Sequence, residues 1–352
     1  MASCIRFDEI QAKPLHWLWP GRLPRGKLTL LEGDPDLGKS TILLDIAARI
    51  TSAHNGTLPD GEPVASVGNI IVMSAEDDPE DTVRPRLELL GADLRRVYFL
   101  DEVTDGKTEA CIEIPRDLDV IAKAIKDVHT ALVVIDPLMA FLTGIDSHNE
   151  QSSRQVLKQI SKVASETGCA FLAQRHWNKG GGQKAIYRGG GSIAFTAHAR
   201  CSHLVAVDPD DDKARLLAVV KNNRGPKAPT LRYCLEPVEV KIAGEQDTLC
   251  RVVWCGTSPY TADQLVSQPA TEQEKEEAEE KKTKSALALE LLRNLLQEKG
   301  KVAVKEAETT VMGAGVSRAT VERASNKLQV VLSHETVDGV RIYYWTLPNT
   351  EA

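Results

Sequence analysis

The chain has 352 residues, of which 42% are hydrophobic and 26% charged, and a net charge of -7. This length allows one large core and one small additional domain. No apolar stretch approaches the roughly 20 residues that a membrane-spanning helix needs, and the first residues, MASCIRFDEIQAK, do not resemble a signal peptide. We therefore expect a cytoplasmic protein of two domains with no membrane partner.

The seven cysteines are scattered, without a CxxC pair or a histidine at zinc-ligand spacing. Neither a disulfide framework nor a structural metal is expected, and we expect most of the thiols to be buried. The charge is uneven, because residues 270–280 carry six glutamates and one lysine, whereas 281–352 carry eleven Lys/Arg against eight Asp/Glu. This distribution predicts a mildly basic C-terminal domain behind an acidic segment.

Up to about residue 260, apolar runs alternate with amphipathic stretches, which predicts an α/β fold with a mostly parallel sheet covered by helices. The predicted strands are 27–32, 69–74, 97–100, 131–135 and 169–174. The predicted helices are 39–53, 79–90, 117–129 and 150–167. From about 202 onward, short apolar runs joined by turns (HLVAVD, RLLAVVK, TLRYCLE, VEVKIAG and CRVVWCG) predict an antiparallel meander at the sheet edge.

The run QPATEQEKEEAEEKK is too polar to bury, which predicts a linker or an exposed helix start. Beyond it, three helical segments are predicted at 285–300, 302–312 and 317–329, the last with Ser317 as N-cap, followed by two strands hinged at Asp338-Gly339. Three helices and a hairpin within about 65 residues are typical of a winged-helix domain. The expected domains are a nucleotide-binding domain at 1–262, an acidic linker at 263–283 and the winged helix at 284–348.

A phosphate-binding loop is predicted where LEGDPDLGKST follows the apolar run KLTLL and precedes the amphipathic stretch TILLDIAARI. Glycines between a strand and a helix let backbone N–H groups point at phosphate oxygens. Lys39 would reach the terminal phosphates of ATP, and the Ser40 hydroxyl would bind Mg²⁺. The nucleotide-binding candidates are Gly33, Asp34, Pro35, Asp36, Leu37, Gly38, Lys39, Ser40 and Thr41.

Three more candidates stand at the ends of neighbouring predicted strands. Asp136 ends ALVVID, where a carboxylate would hold Mg²⁺ through water, and Glu76 follows NIIVMS, where it would orient or deprotonate the attacking water. In AQRHWNK, either Gln174 or His176 would sense the γ-phosphate. The alternative is that these polar residues merely cap strands, and that His176 is an ordinary surface residue.

Between about 14 and 240, the chain resembles the RecA-fold ATPases of the RepA-like hexameric helicase type, often found on plasmids and phages. The motifs that carry the resemblance are HWLWPGRLPRGKLTLLEGDPDLGKST, VMSAEDDPEDTVRPRLELLGADLRRV, LVVIDPLMAF, the strand-end His176, RGGGSIAFTAHAR and VVKNNRGP. The resemblance implies that Glu76 is the catalytic base and Asp136 the Walker B aspartate. The loop departs from the family at Asp36, where relatives commonly have glycine. A like charge near the polyanion would weaken binding; the alternative is that this side chain faces solvent.

The resemblance also implies a homo-oligomeric ring, expected to be a hexamer, with nucleotide between subunits and arginines of the neighbour reaching the γ-phosphate. The matching positions are Arg86 and Arg200. Weaker candidates are Arg188 in the glycine-rich loop and Lys221 with Arg224, whose segment KNNRGP is shifted by one residue from the related KQRNGP. A guanidinium supplied by a neighbour would stabilise transition-state charge. The alternative is that these arginines form ordinary surface ion pairs.

Two segments are candidates for contact with DNA, expected to be single-stranded. Residues 178–192 have six glycines together with Lys179, Lys184 and Arg188, which predicts a loop that follows a phosphate backbone or, alternatively, covers the nucleotide. In the tail, Arg318, Arg323 and Lys327 lie opposite the inward stripe of the third helix. Winged helices also bind proteins, so that use remains open.

The sequence as a whole favours an ATP-hydrolysing, DNA-associated motor, most like a RepA-type replicative DNA helicase. A nucleotide-switched DNA-binding regulator or loader without unwinding activity is the alternative, and a recombinase-like filament protein has the same motifs.

Overall fold

The computed structural model describes residues 4–52, 56–104, 109–145, 149–176, 194–267, 272–337 and 340–348. The chain divides into two compact units, Met1–Gln268 and Pro269–Ala352. The loop candidates Lys179, Lys184 and Arg188, and the hinge pair at 338–339, lie outside the described residues.

The first unit is built on a nine-stranded sheet. In chain order its strands are β1 (Leu28–Gly33), β2 (Asn69–Ser74), β3 (Val97–Phe99), β4 (Thr130–Asp136), β5 (Ala170–His176), β6 (Cys201–Asp208), β7 (Asp211–Asn222), β8 (Thr230–Ile242) and β9 (Glu245–Ser258). Their order across the sheet is β9-β8-β7-β6-β1-β5-β4-β2-β3. The pairs from β6 through β1 to β3 are parallel, and the pairs from β6 to β9 are antiparallel.

Helices cover both faces of this sheet. They are α1 (Lys39–Thr51), α2 (Arg84–Leu89), α3 (Leu118–Asp127), α4 (Glu150–Thr167), α5 (Ala194–His198) and α6 (Ala262–Ser267), with a short helix at Leu138–Phe141. Smaller elements are the 3-10 turns Phe7–Glu9 and Leu94–Arg96, the π-helical turn Pro79–Val83 and the strand pairs Trp17–Trp19 with Leu23–Pro24 and Glu102–Thr104 with Glu109–Cys111.

The central strands are apolar throughout because both of their faces are covered. All residues of β1 and β4 are buried. Leu31 and Ile42 belong to the core on the α1 face, and Leu30 and Phe171 belong to the core on the opposite face. This is the predicted mostly parallel α/β sheet of a RecA-like fold with an antiparallel extension.

HLVAVD lies in β6, which pairs antiparallel with β7 and parallel with β1, so it joins the predicted meander to the parallel sheet. One detail of the meander is wrong, because the two predicted strands TLRYCLE and VEVKIAG form the single strand β8. Beyond residue 234, β8 pairs with β9 but no longer with β7. Pro237 therefore lies in a part of β8 that is paired on one side only, where a residue without a backbone N–H is tolerated. The predicted helix at 79–90 is also divided, into the turn Pro79–Val83 and α2, which has Pro85 in its first turn.

The second unit consists of α7 (Glu272–Lys299), β10 (Lys301–Ala303), α8 (Val304–Met312), α9 (Arg318–Lys327), β11 (Val331–Val337) and β12 (Val340–Thr346). Its sheet is antiparallel in the order β10-β12-β11, and Leu292, Val321 and Trp345 are in its core. The helix predicted to begin at 285 begins at Glu272, because the Glu- and Lys-rich run before residue 285 has strong helix propensity. The element order is compatible with a winged helix, which stays a prediction.

The expectation that most thiols are buried is wrong. Cys169 and Cys201 are buried, but Cys4, Cys111, Cys250 and Cys255 are exposed. Cys250 and Cys255 lie on β9, which is the last strand at one edge of the sheet in the described part of the chain.

None of the helices in the described ranges has the length and apolar character needed to cross a bilayer. Those ranges also contain no cluster of three or more His, Cys, Asp or Glu side chains arranged to hold a metal ion.

Candidate functional site

The phosphate-binding loop predicted from the glycine spacing connects the last residue of β1 to the first turn of α1. A Cβ atom on either of its two glycines would crowd a neighbouring residue. A Cβ atom on Gly33 would lie 2.4 Å from the carbonyl oxygen of Val205, and one on Gly38 would lie 2.8 Å from the Leu235 side chain. Gly38 also has a φ of +77°, which disfavours other residues. The loop is therefore a tight backbone cradle, as phosphate binding requires.

Asp36 is a non-glycine residue in left-handed backbone conformation, with a φ of +60°. This conformation costs about 1 kcal/mol for a residue with a Cβ atom, although aspartate tolerates it better than most. The Asp36 side chain is exposed, and its charge raises the pKa of Lys39 against the lowering effect of burial. Aspartate in place of glycine at this position thus strains the backbone and also places a negative charge near Lys39.

Lys39 is buried inside the loop, with 4% of its surface exposed. Its ammonium group donates a 2.6 Å hydrogen bond to the carbonyl oxygen of Asp34. Burial lowers the pKa of Lys39, while the nearby carboxylates of Asp136, Asp34, Asp36 and Glu76 act in the opposite direction. A desolvated cation on the phosphate-binding loop favours binding of an anion.

Asp136 ends β4 and is buried, with 8% of its surface exposed. Burial raises the pKa of its carboxyl from 3.8 to about 6, with a further raising effect of Asp77 and Glu76 and an opposing hydrogen bond to Ser40. The Oδ1 atom is buried and has no hydrogen-bond partner in the described part of the chain. A buried carboxylate beside a serine hydroxyl, with one oxygen unsatisfied, fits the donor set that Mg²⁺ prefers.

Glu76 lies two residues beyond β2, at the same edge of the sheet. Ser74 and Asp136 are register partners, and the Ala75 N–H donates to the carbonyl of Asp136 over 3.0 Å. Glu76 is exposed and its charge affects the pKa values of Asp136, Lys39 and His176. The structure thus brings the predicted base, Walker B aspartate and lysine together.

Arg86, predicted to act on a neighbouring subunit, has a partner in its own chain. Its Nη1 donates a 2.7 Å hydrogen bond to Oδ2 of Asp77, and both side chains are about one quarter exposed. This ion pair lies next to Glu76 in the sequence. The role of Arg86 in a neighbour's site stays a prediction.

The two alternative sensors, Gln174 and His176, both lie at this site. His176 is the register partner of Gly33, and Gln174 Nε2 lies 3.3 Å from His176 Nε2. Burial lowers the pKa of His176, with Lys39 in the same direction and Glu76 opposing. The imidazole is therefore neutral at pH 7. Among the residues that the structure describes, its Nδ1 atom and Gln174 Oε1 are buried without partners, so both can form a hydrogen bond to a ligand.

Arg200 lies at the opposite end of β1 from the phosphate-binding loop. Its backbone N–H donates to the carbonyl of Leu28, the first residue of β1, whereas the loop begins at Gly33, the last residue. That separation is about 16 Å along a parallel strand, too long for an arginine side chain to span. Arg200 is exposed. It is therefore not placed to complete the site of its own chain.

Two further candidates for contact with a neighbour's γ-phosphate, Lys221 and Arg224, lie in this region. The Lys221 ammonium donates to the carbonyl oxygens of Thr196, over 3.0 Å, and of Ala197. It thus binds the end of α5 rather than a free surface. Arg224 is exposed, and its backbone N–H donates to Asn222.

Three residues of the antiparallel extension contact the loop and α1, and the motifs did not indicate them. The Tyr233 hydroxyl donates a 2.7 Å hydrogen bond to the carbonyl of Leu37, and Leu235 packs against Gly38. Trp254 Nε1 donates to Asp45 of α1 over 2.8 Å. Tyr233 is 196 positions from Leu37 in the sequence, so no local pattern indicates this contact.

A second feature not predicted from the motifs is a fully buried ion pair between Glu32 and Arg175. The two side chains are 2% and 0% exposed, and Arg175 Nε donates to Glu32 Oε1 over 2.9 Å. Thr196 accepts from Arg175 over 2.9 Å, and Ser202 donates to Glu32 over 2.6 Å. The available signal was a charged residue near the end of each apolar strand, in LTLLEG and AFLAQRH.

In the second unit, α9 has the predicted orientation. Val321 and Ala324 are buried, whereas Arg318, Arg323 and Lys327 are exposed. Arg318 forms a 3.1 Å ion pair with Glu308 of α8. The exposed basic residues leave the nucleic-acid prediction for α9 open.

The family model described as an AAA domain (AAA_25) matches residues 2–182, half of the chain. The chain belongs to this family. The AAA domain match covers the phosphate-binding loop, Glu76, Asp136 and His176, and it ends before Arg200. Together with the parallel sheet and its loop, it makes the protein a RecA-fold P-loop ATPase.

Two curated relatives of this AAA domain protein are named DNA repair protein RadA. The chain is 24% identical to the protein of Bacillus subtilis (strain 168) over 164 residues, covering 46% of this chain and 30% of the relative. It is 26% identical to the protein of Halalkalibacterium halodurans over 172 residues, covering 48% and 32%. The chain thus matches about a third of the length of these relatives.

A solved structure with a similar chain path is that of a KaiC-like protein from Pyrococcus horikoshii OT3. The TM-score is 0.45 and the sequence identity is 15%, with 63% of this chain and 96% of that chain covered.

Proposed function

We propose that this protein is an ATP-driven, DNA-associated motor, most like a RepA-type replicative DNA helicase, that acts in the cytoplasm as a homo-oligomeric ring. The observation that carries this proposal is the arrangement at one sheet edge. Buried Lys39 and Asp136 lie with Glu76 and neutral His176 around a tight backbone loop.

The roles of the residues follow from their surroundings. The loop N–H groups and Lys39 bind the phosphates of ATP. Glu76, exposed beyond β2, accepts a proton from the attacking water, and His176 donates a hydrogen bond to the γ-phosphate. Ser40 and Asp136 would hold Mg²⁺, which supplies charge neutralisation of the phosphates when bound.

The position of Arg200 supports hydrolysis between subunits. Its backbone is hydrogen-bonded to Leu28, at the end of β1 that is far from the phosphate-binding loop of the same chain. We propose that the Arg200 guanidinium reaches the γ-phosphate in the neighbouring subunit, with Arg86 as the second candidate. A head-to-tail contact of this kind closes into a ring, here proposed to be a hexamer, or continues as a filament.

Contact with DNA is supported by two observations. The curated relatives are named DNA repair proteins, and Arg318, Arg323 and Lys327 are exposed on α9. We propose that the second unit is a winged helix that contacts DNA with α9, and that the basic residues Lys179, Lys184 and Arg188 contact single-stranded DNA.

The alternative function is a nucleotide-switched DNA-binding regulator or loader, in which ATP closes the oligomer without unwinding. The exposed basic face of α9 favours it, since such a helix delivers an assembly to a DNA site without any motor. Strand displacement on a forked DNA with ATP distinguishes the two. A motor displaces the strand and loses this activity in Glu76→Gln, whereas a regulator shows DNA-stimulated hydrolysis without displacement.

A further inference from the structure

The buried pair of Glu32 and Arg175 lies directly behind the nucleotide site. The two residues are register partners on β1 and β5, and the next residue on each strand is Gly33 or His176, which are also partners. Because side chains alternate along a strand, the pair lies on the face of the sheet opposite Gln174 and His176. The pair thus fixes the register between the end of β1, where the phosphate-binding loop begins, and the end of β5, which carries His176.

The same pair also contacts the elements that lead to Arg200. Arg175 donates to Thr196 of α5 and lies 4.8 Å from the ring of Phe195, and Ser202 of β6 donates to Glu32. Thr196 is also joined to Lys221, which donates to its carbonyl oxygen over 3.0 Å. Arg200 lies in the connection between α5 and β6.

The pair is a poor means of stabilising the fold. Taking two charges out of water costs about as much as their attraction returns, so apolar side chains of similar volume do as well or better in many proteins. Because the pair adds little to the free energy of unfolding, its contacts, which join β1, β5, α5 and β6, indicate another role.

We infer that Arg175 and Glu32 are positioning residues that couple nucleotide on the phosphate-binding loop to Arg200. This inference rests on the proposed hydrolysis between subunits. Nucleotide binding shifts the ends of β1 and β5. The pair transmits this shift to α5 and β6, and the connection between them then holds the Arg200 guanidinium in the position that the neighbour's site requires. The pair touches no reacting atom.

The test is the double variant Glu32→Leu with Arg175→Met in the full chain, which removes both charges at once. Its thermal unfolding should remain close to that of the wild type, because no unpaired charge is left. We expect its kcat for ATP hydrolysis to fall about tenfold or more while KM changes little. Wild-type kcat in this variant overturns the inference.

Two further variants control for folding. Arg175→Lys retains the charge but not the fork-shaped donor set, so it should fold and have a lowered kcat, and wild-type kcat in it also overturns the inference. Arg22→Met with Asp60→Leu removes another ion pair outside β1 and β5, in which the Arg22 side chain is 0% and the Asp60 side chain 19% exposed. This matched control should retain wild-type kcat.

Hydrogen exchange gives a readout that needs no hydrolysis. With Mg²⁺ and a non-hydrolysable ATP analogue, the wild-type peptide spanning 194–203 should gain protection, and the double variant should bind the analogue without that gain. Equal protection in both proteins, or none in the wild type, overturns the coupling. A wild type that gains protection but does not hydrolyse ATP refutes the proposed function and leaves the coupling supported.

Discussion

The Tyr233 hydroxyl donates a 2.7 Å hydrogen bond to the carbonyl of Leu37. This bond joins β8 of the antiparallel extension to the loop that begins at the parallel strand β1. The neighbouring Leu235 packs against Gly38, and the Tyr233 ring lies 5.2 Å from that of Trp254, which itself bonds α1. The extension is therefore a structural support for the phosphate-binding loop.

Replacing Tyr233 by phenylalanine tests this support. The variant leaves the Leu37 carbonyl unsatisfied, which costs about 1–3 kcal/mol of stability for a buried acceptor. We expect a lowered unfolding temperature and severalfold weaker binding of ATP, measured by calorimetry. Tyr343→Phe, in the second unit and 47% exposed, is the matched control and should bind ATP normally. Unchanged ATP affinity in Tyr233→Phe would show that the loop is rigid without the bond.

Asp136→Asn should stabilise the nucleotide-free protein at neutral pH. Burial raises the pKa of Asp136 from 3.8 to about 6. The folded state therefore retains the proton more tightly than the unfolded state. The contribution of Asp136 to stability is therefore complete below pH 3.8 and is lost as the pH rises through about 6. The asparagine variant avoids this loss, worth up to about 3 kcal/mol at pH 8.

Denaturant unfolding of both proteins from pH 4 to pH 8, without nucleotide, measures this effect. The difference in the free energy of unfolding should grow with pH between 4 and 6 and then level off. ATP hydrolysis should be lost in Asp136→Asn at every pH. A wild type more stable than the variant at pH 8 would contradict the burial argument.

His176 should act as a neutral hydrogen-bonding group. Burial lowers its pKa below the ordinary 6.5, so the imidazole is uncharged in the folded state at pH 7. Its contribution to stability is complete above pH 6.5 and is lost as the pH falls towards the lowered value. We expect His176→Ala to reduce kcat by about tenfold or more and His176→Gln to retain more activity, since an amide can still donate. Equal losses in both variants would contradict a hydrogen-bonding role.

Asp36→Gly and Asp36→Ala separate the two consequences of Asp36. Both remove the charge, so both should bind ATP more tightly than the wild type. Only glycine takes a φ of +60° without strain, so the alanine variant should be less stable than the glycine variant by about 1 kcal/mol. Calorimetric binding together with thermal unfolding provides both comparisons. Unchanged ATP affinity in both variants would show that the exposed carboxylate does not repel the phosphates.

The parts of the fold that depend on local pattern were predictable. Apolar strands such as ALVVID and the spacing of GDPDLGKST indicated the parallel sheet, the loop and the neighbourhood of Asp136. The contacts of Tyr233 and the Glu32–Arg175 pair were not, because they join residues 196 and 143 positions apart. The single strand Thr230–Ile242 was missed because Pro237 suggested a break that pairing on one side does not require.

Mixing two inactive variants tests hydrolysis between subunits most directly. Lys39→Ala should bind ATP poorly, because it lacks the loop cation, and Arg200→Ala retains its phosphate-binding loop but lacks the arginine. If Arg200 acts on the neighbour, an intact loop can meet an intact Arg200 in mixed oligomers. ATP hydrolysis per chain should then recover partly on mixing, and wild-type activity per chain should rise with protein concentration. Full activity of Arg200→Ala alone, or no recovery on mixing together with activity independent of concentration, would contradict a site shared between subunits.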